Sequence, residues 1–345
     1  MKNKLDEARE IINEVDDIML ELFKKRMEAS RMVAEYKSQN NLPILDSKRE
    51  EELIKKNLDA LNNKELEQYY LTFINGLLDA SKAYQKDLNK KHYALIGDKL
   101  SHSYSPLIHN TIFAKLGINA EYSLIEAKPD ELQNIINMLR CGKYSGYSVT
   151  KPYKKEVMKY LDVISDEAKA IGSVNTIAYI NNKVIGYNTD YYGFYNTILH
   201  NNIDVMNKDC YVLGTGGASL AVKKALADLG ANVYTVSRTP KENEISYDEL
   251  NDKDIYLMVN TTPVGMYPDT GKSPVSRGIA LKPRYTIDII FNPKYTQFLL
   301  DSRSSINGLD MLVGQALKAE EIWQNQKIDI DYLNLLREIE MIVYE

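Results

Sequence analysis

A chain of 345 residues is long for one domain, and two or three are expected. With 44% hydrophobic and 26% charged residues and a formal net charge of -5, it has the composition of a soluble globular protein and carries no strong nucleic-acid footprint. Its two cysteines, Cys141 and Cys210, form no C-x-x-C pair and suit a reducing compartment, and none of its four histidines lies in an H-E-x-x-H pattern, so no metal site is expected. The N-terminal stretch is charged and amphipathic without an apolar signal core, and no run is long enough to span a membrane; the expectation is a cytoplasmic enzyme or sensor.

In residues 1–89, Ile11, Val15, Ile18 and Leu22 recur at helix spacing. The helical pattern runs from about Leu5 to about Ser38 without glycine or proline, too long for a helix lying alone, and predicts packing against a partner chain. Asn40, Asn41 and Pro43 end it, Ser47-x-x-Glu50 reads as a capping box opening a second helix, and a third runs from about Lys64 to about Leu88. Three helices with one very long member cannot easily bury all their apolar faces in a monomer, so an intertwined helical dimer is expected.

The polar residues of this segment are the informative part. Arg26 and Lys37 are eleven apart, three turns plus about 20°, and share a face. Ser81 and Gln85, four apart, share another, and Asp46, Arg49 and Glu50 cluster where the second helix starts. Such a set suits a small dicarboxylate, because arginine binds carboxylates in bidentate fashion. Solvated faces and surface ion pairs account equally well for the spacing alone.

The whole segment resembles the all-helical chorismate mutase family. That pattern has an Arg near the start, an Arg seventeen later, a Lys eleven beyond, then D-x-x-R-E and S-x-x-x-Q, and Arg9, Arg26, Lys37, Asp46, Arg49, Glu50, Ser81 and Gln85 stand in those slots. The resemblance implies rearrangement of chorismate to prephenate, a unimolecular reaction that needs the substrate held compact and charge stabilised on the breaking ether. It implies that Arg26 and Arg9 clamp the two carboxylates, Arg9 from the second protomer of a homodimer. Lys37 and Gln85 donate to the ether oxygen, and Glu50, Asp46 and Ser81 serve the ring hydroxyl and its neighbours. Arg49 assists carboxylate binding or orients Glu50.

A lysine-rich joint at 86–91 puts a boundary near Asn89 with little linker. From 91 to 200, strand-like and helical runs alternate at 92–96, 105–116, 120–125, 129–139, 146–150 and 153–161, an α/β pattern. His102-Ser103-Tyr104-Ser105-Pro106 places two hydroxyls two apart, able to grip one carboxylate, with Ser105 also placed to cap the helix beginning at Pro106. In Ser148-Val149-Thr150-Lys151-Pro152-Tyr153-Lys154, the proline predicts Lys154 on the first turn of a helix leaving a strand. Ligands of open α/β sheets collect outside the carboxyl ends of strands, so a lysine there is well placed for proton transfer. Asn175-Thr176 and Asn188-Thr189-Asp190 are polar clusters beside strand-like runs at 177–180 and 184–187.

Taken together these motifs resemble shikimate dehydrogenase, which carries H-S-x-S-P, N-V-T-x-P-x-K, G-x-x-N-T and N-T-D in this order, and the resemblance spans 91 to the C-terminus. It implies that Ser103 and Ser105 hold the shikimate carboxylate and that Thr150, Asn175 and Asp190 bind ring hydroxyls. Lys154 is then the general acid/base beside Asp190, and Gln315, in the signature Gly308-Leu309-Asp310-Met311-Leu312-Val313-Gly314-Gln315, also reaches the substrate. Three positions depart from the family pattern. Ser148 replaces its usual Asn and keeps a hydroxyl for a local hydrogen bond, Lys151 adds a cation near Lys154, and Phe291 stands where Tyr is usual.

From 201 to 310, a strand ending at Leu213 is followed by Gly214-Thr215-Gly216-Gly217-Ala218-Ser219 and a helix to about Leu229. Strand, glycine turn and helix together make a dinucleotide fingerprint, with Gly214, Gly216, Gly217 and Ala218 at the pyrophosphate. The next strand, Asn232 to Val236, ends in Ser237-Arg238-Thr239 where an NAD-selective site wants an acid; this triplet suits a 2′-phosphate and points to NADP. Asn260-Thr261-Thr262-Pro263-Val264-Gly265-Met266 resembles the family's loop near the nicotinamide, which implies that Thr262 and Met266 touch the cofactor.

The resulting expectation is a three-helix chorismate mutase module (1–89, an intertwined dimer) followed by two α/β domains. The first binds shikimate (91–200, completed by helices at about 311–325 and 330–343), and the second is a Rossmann-type NADP-binding domain (201–310). The pair of activities is chorismate to prephenate, and NADPH-dependent interconversion of 3-dehydroshikimate and shikimate. The competing readings are an N-terminal segment that only senses an aromatic metabolite, and a quinate/shikimate dehydrogenase using NAD.

Overall fold

The structure, a computed structural model, describes residues 3–40 and 42–344 and divides into two compact units, Met1–Lys91 and His92–Glu345. Asn41, read above as part of the break after the first helix, lies outside the described residues.

The first unit is three helices, α1 (Lys4–Gln39), α2 (Ser47–Leu61) and α3 (Glu67–Leu88). The Asn3 side chain accepts from Asp6 N at 2.9 Å and caps α1, while Asp6 and Glu7 complement the dipole at its start. The cap of α2 is Asp46, whose carboxylate accepts from Arg49 N at 3.1 Å, and not the expected Ser47–Glu50 box. Asp46 lies one residue earlier with a charged acceptor, and Glu50 turns to Lys82 on α3 instead of back to the helix start. Burial is concentrated in α3 (Ile74, Leu78, Ser81 and Gln85) and the second half of α1 (Ser30 and Ala34), and α2 buries no residue. Leu5, Ile11, Ile12, Val15, Ile18, Met19, Leu22 and Phe23 are all exposed.

The second unit holds two six-stranded sheets. The first contains β1 (Lys91–Gly97), β2 (Ala120–Glu126), β3 (Gly146–Val149), β4 (Val163–Ile164), β5 (Thr176–Ile180) and β6 (Lys183–Tyr187) in the order β2-β1-β3-β5-β6-β4. The β5–β6 hairpin turns on Asn181 and Asn182, both in the left-handed region (φ 50 and 61), the backbone that a two-residue hairpin favours and asparagine tolerates. Helices α4 (Ser105–Leu116), α5 (Leu132–Arg140), α6 (Asp166–Ile171) and α7 (Thr189–His200) accompany this sheet. Alternation along β3 sends Tyr147 and Val149 into a core with Ile135, Ile136 and Leu139 of α5. The opposite face is covered by α4 and by α11 (Leu309–Gln324), through Tyr93, Phe113, Tyr122 and Trp323. Gly146 makes that packing possible, since a Cβ there would lie 2.3 Å from Trp323 Nε1.

The second sheet contains β7 (Asp209–Leu213), β8 (Asn232–Val236), β9 (Glu244–Ile245), β10 (Leu257–Asn260), β11 (Tyr285–Asp288) and β12 (Ser305–Ile306) in the order β12-β11-β10-β7-β8-β9. Every pair in it is parallel. Its register aligns Val236, Leu213, Asn260 and Asp288 at the carboxyl edge, so the loops that follow them meet in one place. Helix α8 (Gly217–Asp228) packs on one face, and α9 (Arg277–Ala280) and α10 (Gln297–Leu300) on the other. The chain returns to the first sheet through α11 and ends in α12 (Tyr332–Tyr344). Helices α7 and α11 pack at a glycine contact: a Cβ on Gly193 would lie 2.4 Å from Met311 O, and one on Gly314 would lie 3.2 Å from Gly193 Cα.

Candidate active sites

Lys154 occupies a turn ahead of a 3-10 helix (Glu156–Tyr160), not the first turn of an α-helix. The carbonyl that an α-helix would engage internally is taken from outside: Lys154 O accepts from Val174 N at 2.8 Å. The turn is also tied to the end of β1, with Thr150 N donating to Ile96 O at 2.9 Å and Tyr153 N donating to Thr150 O at 3.0 Å.

From this turn Lys154 Nζ donates to Asp190 Oδ2 at 2.5 Å, and Asn175 Nδ2 donates to Asp190 Oδ1 at 2.9 Å. Both carboxylate oxygens are therefore engaged, and the carboxylate is 11% exposed against 19% for the lysine side chain. Asp190 owes its place to α7, which Asn188 caps by accepting from Tyr191 N at 3.2 Å. Asn175 is fixed in turn, donating to Thr189 Oγ1 at 3.0 Å and accepting from Thr189 N at 2.6 Å. Gln315 joins this network at its edge, 3.5 Å from Thr189 Oγ1, because the glycine crossing lets α11 lie against α7. Lys154, Asp190, Asn175 and Gln315 thus form one connected group. Thr189 is a linking residue that its motif contained but that carried no assigned role.

The serine loop runs between Leu100 and α4. Ser103 Oγ accepts from Ser105 N at 3.3 Å, so Ser103, not Ser105, supports the start of that helix. Thr150 flanks the loop, its Cγ2 lying 2.7 Å from where a Gly97 Cβ would be. Ser148 is buried in β3, with its hydroxyl beside the Tyr122 phenol. Phe291 packs edge-on against Tyr104, with ring centroids 5.5 Å apart.

The nucleotide side faces the same cleft, since a Cβ on Gly217 would lie 3.8 Å from Lys154 Cδ and 3.5 Å from Ser173 Oγ. Gly214 has φ 107, a conformation that glycine adopts freely, and leads from β7 to Gly216, which caps α8 without a side chain. Ser219 Oγ donates to Gly214 O at 2.7 Å and holds the turn closed. Gly217 and Ala218, half-buried at the start of α8, with open space where a Gly216 Cβ would stand, put backbone amides where an anion can sit. At the end of β8, Ser237 is buried and accepts from Thr239 N at 3.3 Å, while Arg238 is exposed and has no ion-pair partner among the described residues. These groups fit a dinucleotide bearing a 2′-phosphate. Beyond β10, Asn260 is fully buried, accepts from Thr262 Oγ1 at 2.7 Å and donates to Asp288 Oδ1 at 3.0 Å. Asp288 also accepts from Thr296 Oγ1 and Ile290 N, and burial pushes its carboxyl up to about 6 against these bonds. No sequence signal marked this carboxylate as a support of the 260–266 loop.

In the helical unit, an Arg26 guanidinium nitrogen donates to Ser81 Oγ and lies 3.4 Å from Leu77 O, joining α1 to α3. Lys37 Nζ donates to Ile44 O at 2.6 Å. Gln85 is only 9% exposed, and its Oε1 has no hydrogen-bond partner, a costly arrangement for a buried amide. Glu50 meets Lys82 Nζ at 3.3 Å, a cation that the motif reading did not single out. Arg49 points outward to Glu52 at 4.0 Å, and Arg9 is exposed and 3.9 Å from Asp6, well separated along α1 from Arg26.

Comparison with known proteins agrees with both parts. Residues 95–177 match the model of the shikimate dehydrogenase substrate binding domain, and residues 8–86 match that of chorismate mutase type II. The shikimate dehydrogenase (NADP(+)) of Clostridium beijerinckii is 47% identical over 252 residues, covering 69% of this chain and 93% of that protein. The crystal structure of a chorismate mutase/shikimate 5-dehydrogenase fusion protein from Clostridium acetobutylicum is 40% identical with a TM-score of 0.71, over 73% of this chain and 98% of that one. Thermus thermophilus shikimate 5-dehydrogenase, solved in complex with NADP(H) and shikimate, is 27% identical with a TM-score of 0.65, over 72% and 99% of the two chains.

A parallel nucleotide-binding sheet facing a lysine–aspartate pair defines a two-lobed dinucleotide-dependent oxidoreductase. Within that class the chain belongs to the shikimate dehydrogenase family, and it carries a chorismate mutase type II domain ahead of the dehydrogenase part.

Proposed function

We propose that the chain interconverts 3-dehydroshikimate and shikimate with NADP(H), and rearranges chorismate to prephenate in its N-terminal module. The observation that carries the first activity is the Lys154–Asp190–Asn175 group facing the glycine turn. Bound NADP(H) supplies or accepts the hydride. Lys154 gives a proton to the substrate oxygen as the carbonyl is reduced and takes it back in the reverse direction. Asp190, held by Asn175, keeps the ammonium pointed at that oxygen and accepts from a ring hydroxyl. Thr150, Asn175 and Gln315 orient the ring, and Ser103 and Ser105 take the carboxylate. Gly214, Gly216, Gly217 and Ala218 hold the pyrophosphate, Ser237, Arg238 and Thr239 the 2′-phosphate, and Thr262 and Met266 border the nicotinamide.

For the mutase, Arg26 and Arg9 clamp the two carboxylates, Lys37 and Gln85 donate toward the ether oxygen, and Asp46, Glu50 and Ser81 serve the hydroxyl, with Arg49 assisting. The orphaned Gln85 Oε1 favours a polar ligand beside it that carries a donor such as a hydroxyl, and the donation toward the ether oxygen comes from Gln85 Nε2. The uncovered apolar residues of α1 favour a homodimer built through that helix, since each Leu or Ile removed from water contributes about 1.5–3 kcal/mol. The reading places the protein in the cytoplasm; among the described residues no helix is long and apolar enough to cross a membrane.

The test is a pair of assays on the purified full chain: shikimate oxidation with NADP+ and with NAD+, and conversion of chorismate to prephenate. Activity in both, with NADP+ preferred, is expected. Failure of either assay overturns that half of the reading.

A further inference from the structure

The two serines of the carboxylate loop alternate with two rings: His102 reaches the nucleotide-binding lobe, whereas Tyr104 packs with Phe291 in one core with Ile108 and Val313. His102 meets Tyr267 with centroids 5.7 Å apart at 73°, and Tyr104 meets Phe291 at 5.5 Å and 87°. Both are edge-to-face arrangements, a geometry that stabilises beyond the area it buries.

Tyr267 and Phe291 come from different loops, after β10 and after β11, yet they belong to one support. Tyr267 N donates to Asn292 O at 3.2 Å, beside Phe291, and Phe291 O accepts from Tyr344 Oη at 2.6 Å. The loop that ends at Tyr267 is the one carrying Thr262 and Met266. It is internally braced: Asn260 holds Thr262, Thr261 Oγ1 donates to Leu213 O at 2.6 Å, and Met266 N donates to Pro263 O at 3.2 Å.

We propose that Tyr267 is a positioning residue that holds the Ser103–Ser105 loop through His102 from across the cleft, while Phe291 steadies Tyr104 from the core beneath, so that cofactor binding and grip on the substrate carboxylate strengthen each other. The inference rests on the proposed dehydrogenase reading. A cofactor seated against 260–266 fixes Tyr267, and Tyr267 fixes His102 beside Ser103. Ordering one side lowers the cost of ordering the other, and linkage makes the effect reciprocal.

Initial rates with shikimate and NADP+ both varied give the shikimate dissociation constant for the free enzyme and for the cofactor complex. In the native chain the second is expected to be smaller. Tyr267→Ala removes a half-exposed ring, so the fold persists, and it should reduce that ratio by about two- to tenfold. The free-enzyme constant and kcat should not change. Tyr267→Phe keeps the edge and should keep the ratio, whereas His102→Ala should behave as Tyr267→Ala. An unchanged ratio in Tyr267→Ala, or equal weakening of both constants, overturns the coupling. If the native chain does not oxidise shikimate with NADP+, the functional reading itself fails, and the coupling with it.

Discussion

Lys154 and Asp190 come from separate elements, a turn after β3 and the first turn of α7, and Nζ meets Oδ2 at 2.5 Å beside the glycine turn of the other lobe. The pair therefore exists only once both elements are packed. Lys154→Ala should lower dehydrogenase turnover by about 10²–10⁴-fold while NADP+ affinity, read by titration, stays close to native. Near-native turnover would move the proton-transfer role to another group.

Arg238 is exposed at the end of β8 and has no ion-pair partner among the described residues. Arg238→Ala should lower kcat/KM for NADP+ by about 10- to 100-fold and leave the value for NAD+ nearly unchanged. A parallel loss with both cofactors would place the 2′-phosphate elsewhere.

Asp288 makes stability depend on pH. Its carboxyl is pushed up to about 6 by burial, against about 3.9 in the unfolded chain. The folded state then binds the proton more tightly, so this group's contribution is fully present below about pH 4 and is lost as pH rises through about 6. The loss amounts to roughly 3 kcal/mol. Asp288→Asn cannot titrate, and denaturant unfolding across that window should show the native chain losing this increment while the variant does not. Parallel curves for the two proteins would rule the linkage out.

Arg9 and Arg26 lie on one helix, about 26 Å apart along its axis, too far for one chorismate. Arg9→Ala and Arg26→Ala should each be nearly inactive as mutase homodimers. Refolded together they should recover up to about a quarter of native activity, because roughly half the dimers are mixed and each holds one intact site. Dehydrogenase activity is the internal control. A verified heterodimer without recovery, or full mutase activity in a dilute monomer, would defeat the shared site.

What could be read from the sequence was what depends on neighbours in the chain. Helical periodicity exposed the long α1, and a strand, a glycine turn and a helix exposed the β7–α8 cradle. The errors arose where distant groups intervene. The proline after Lys151 suggested a helix around Lys154, but Val174, twenty residues on, takes the carbonyl such a helix would use. Ser47 looked like a cap until Glu50 was drawn to Lys82 across the module. Asp288 gave no signal because its surroundings come from Asn260 and Thr296, 28 and 8 residues away, and the ring contacts of His102 and Tyr104 span 165 and 187 residues of chain.

The glycine contact between α7 and α11 has a mechanical meaning. The chain crosses from the first sheet to the second through α7 and comes back through α11, so its two covalent crossings run side by side, pressed together at Gly193 and Gly314. Two crossings so close would put the fulcrum of any movement between the lobes at Gly193 and Gly314. Asp190 and Gln315 sit on the two fulcrum helices, whereas the rings of His102 and Tyr267 belong to loops outside them. A methyl group on Gly193 would push directly on the Met311 carbonyl and force the two crossings apart.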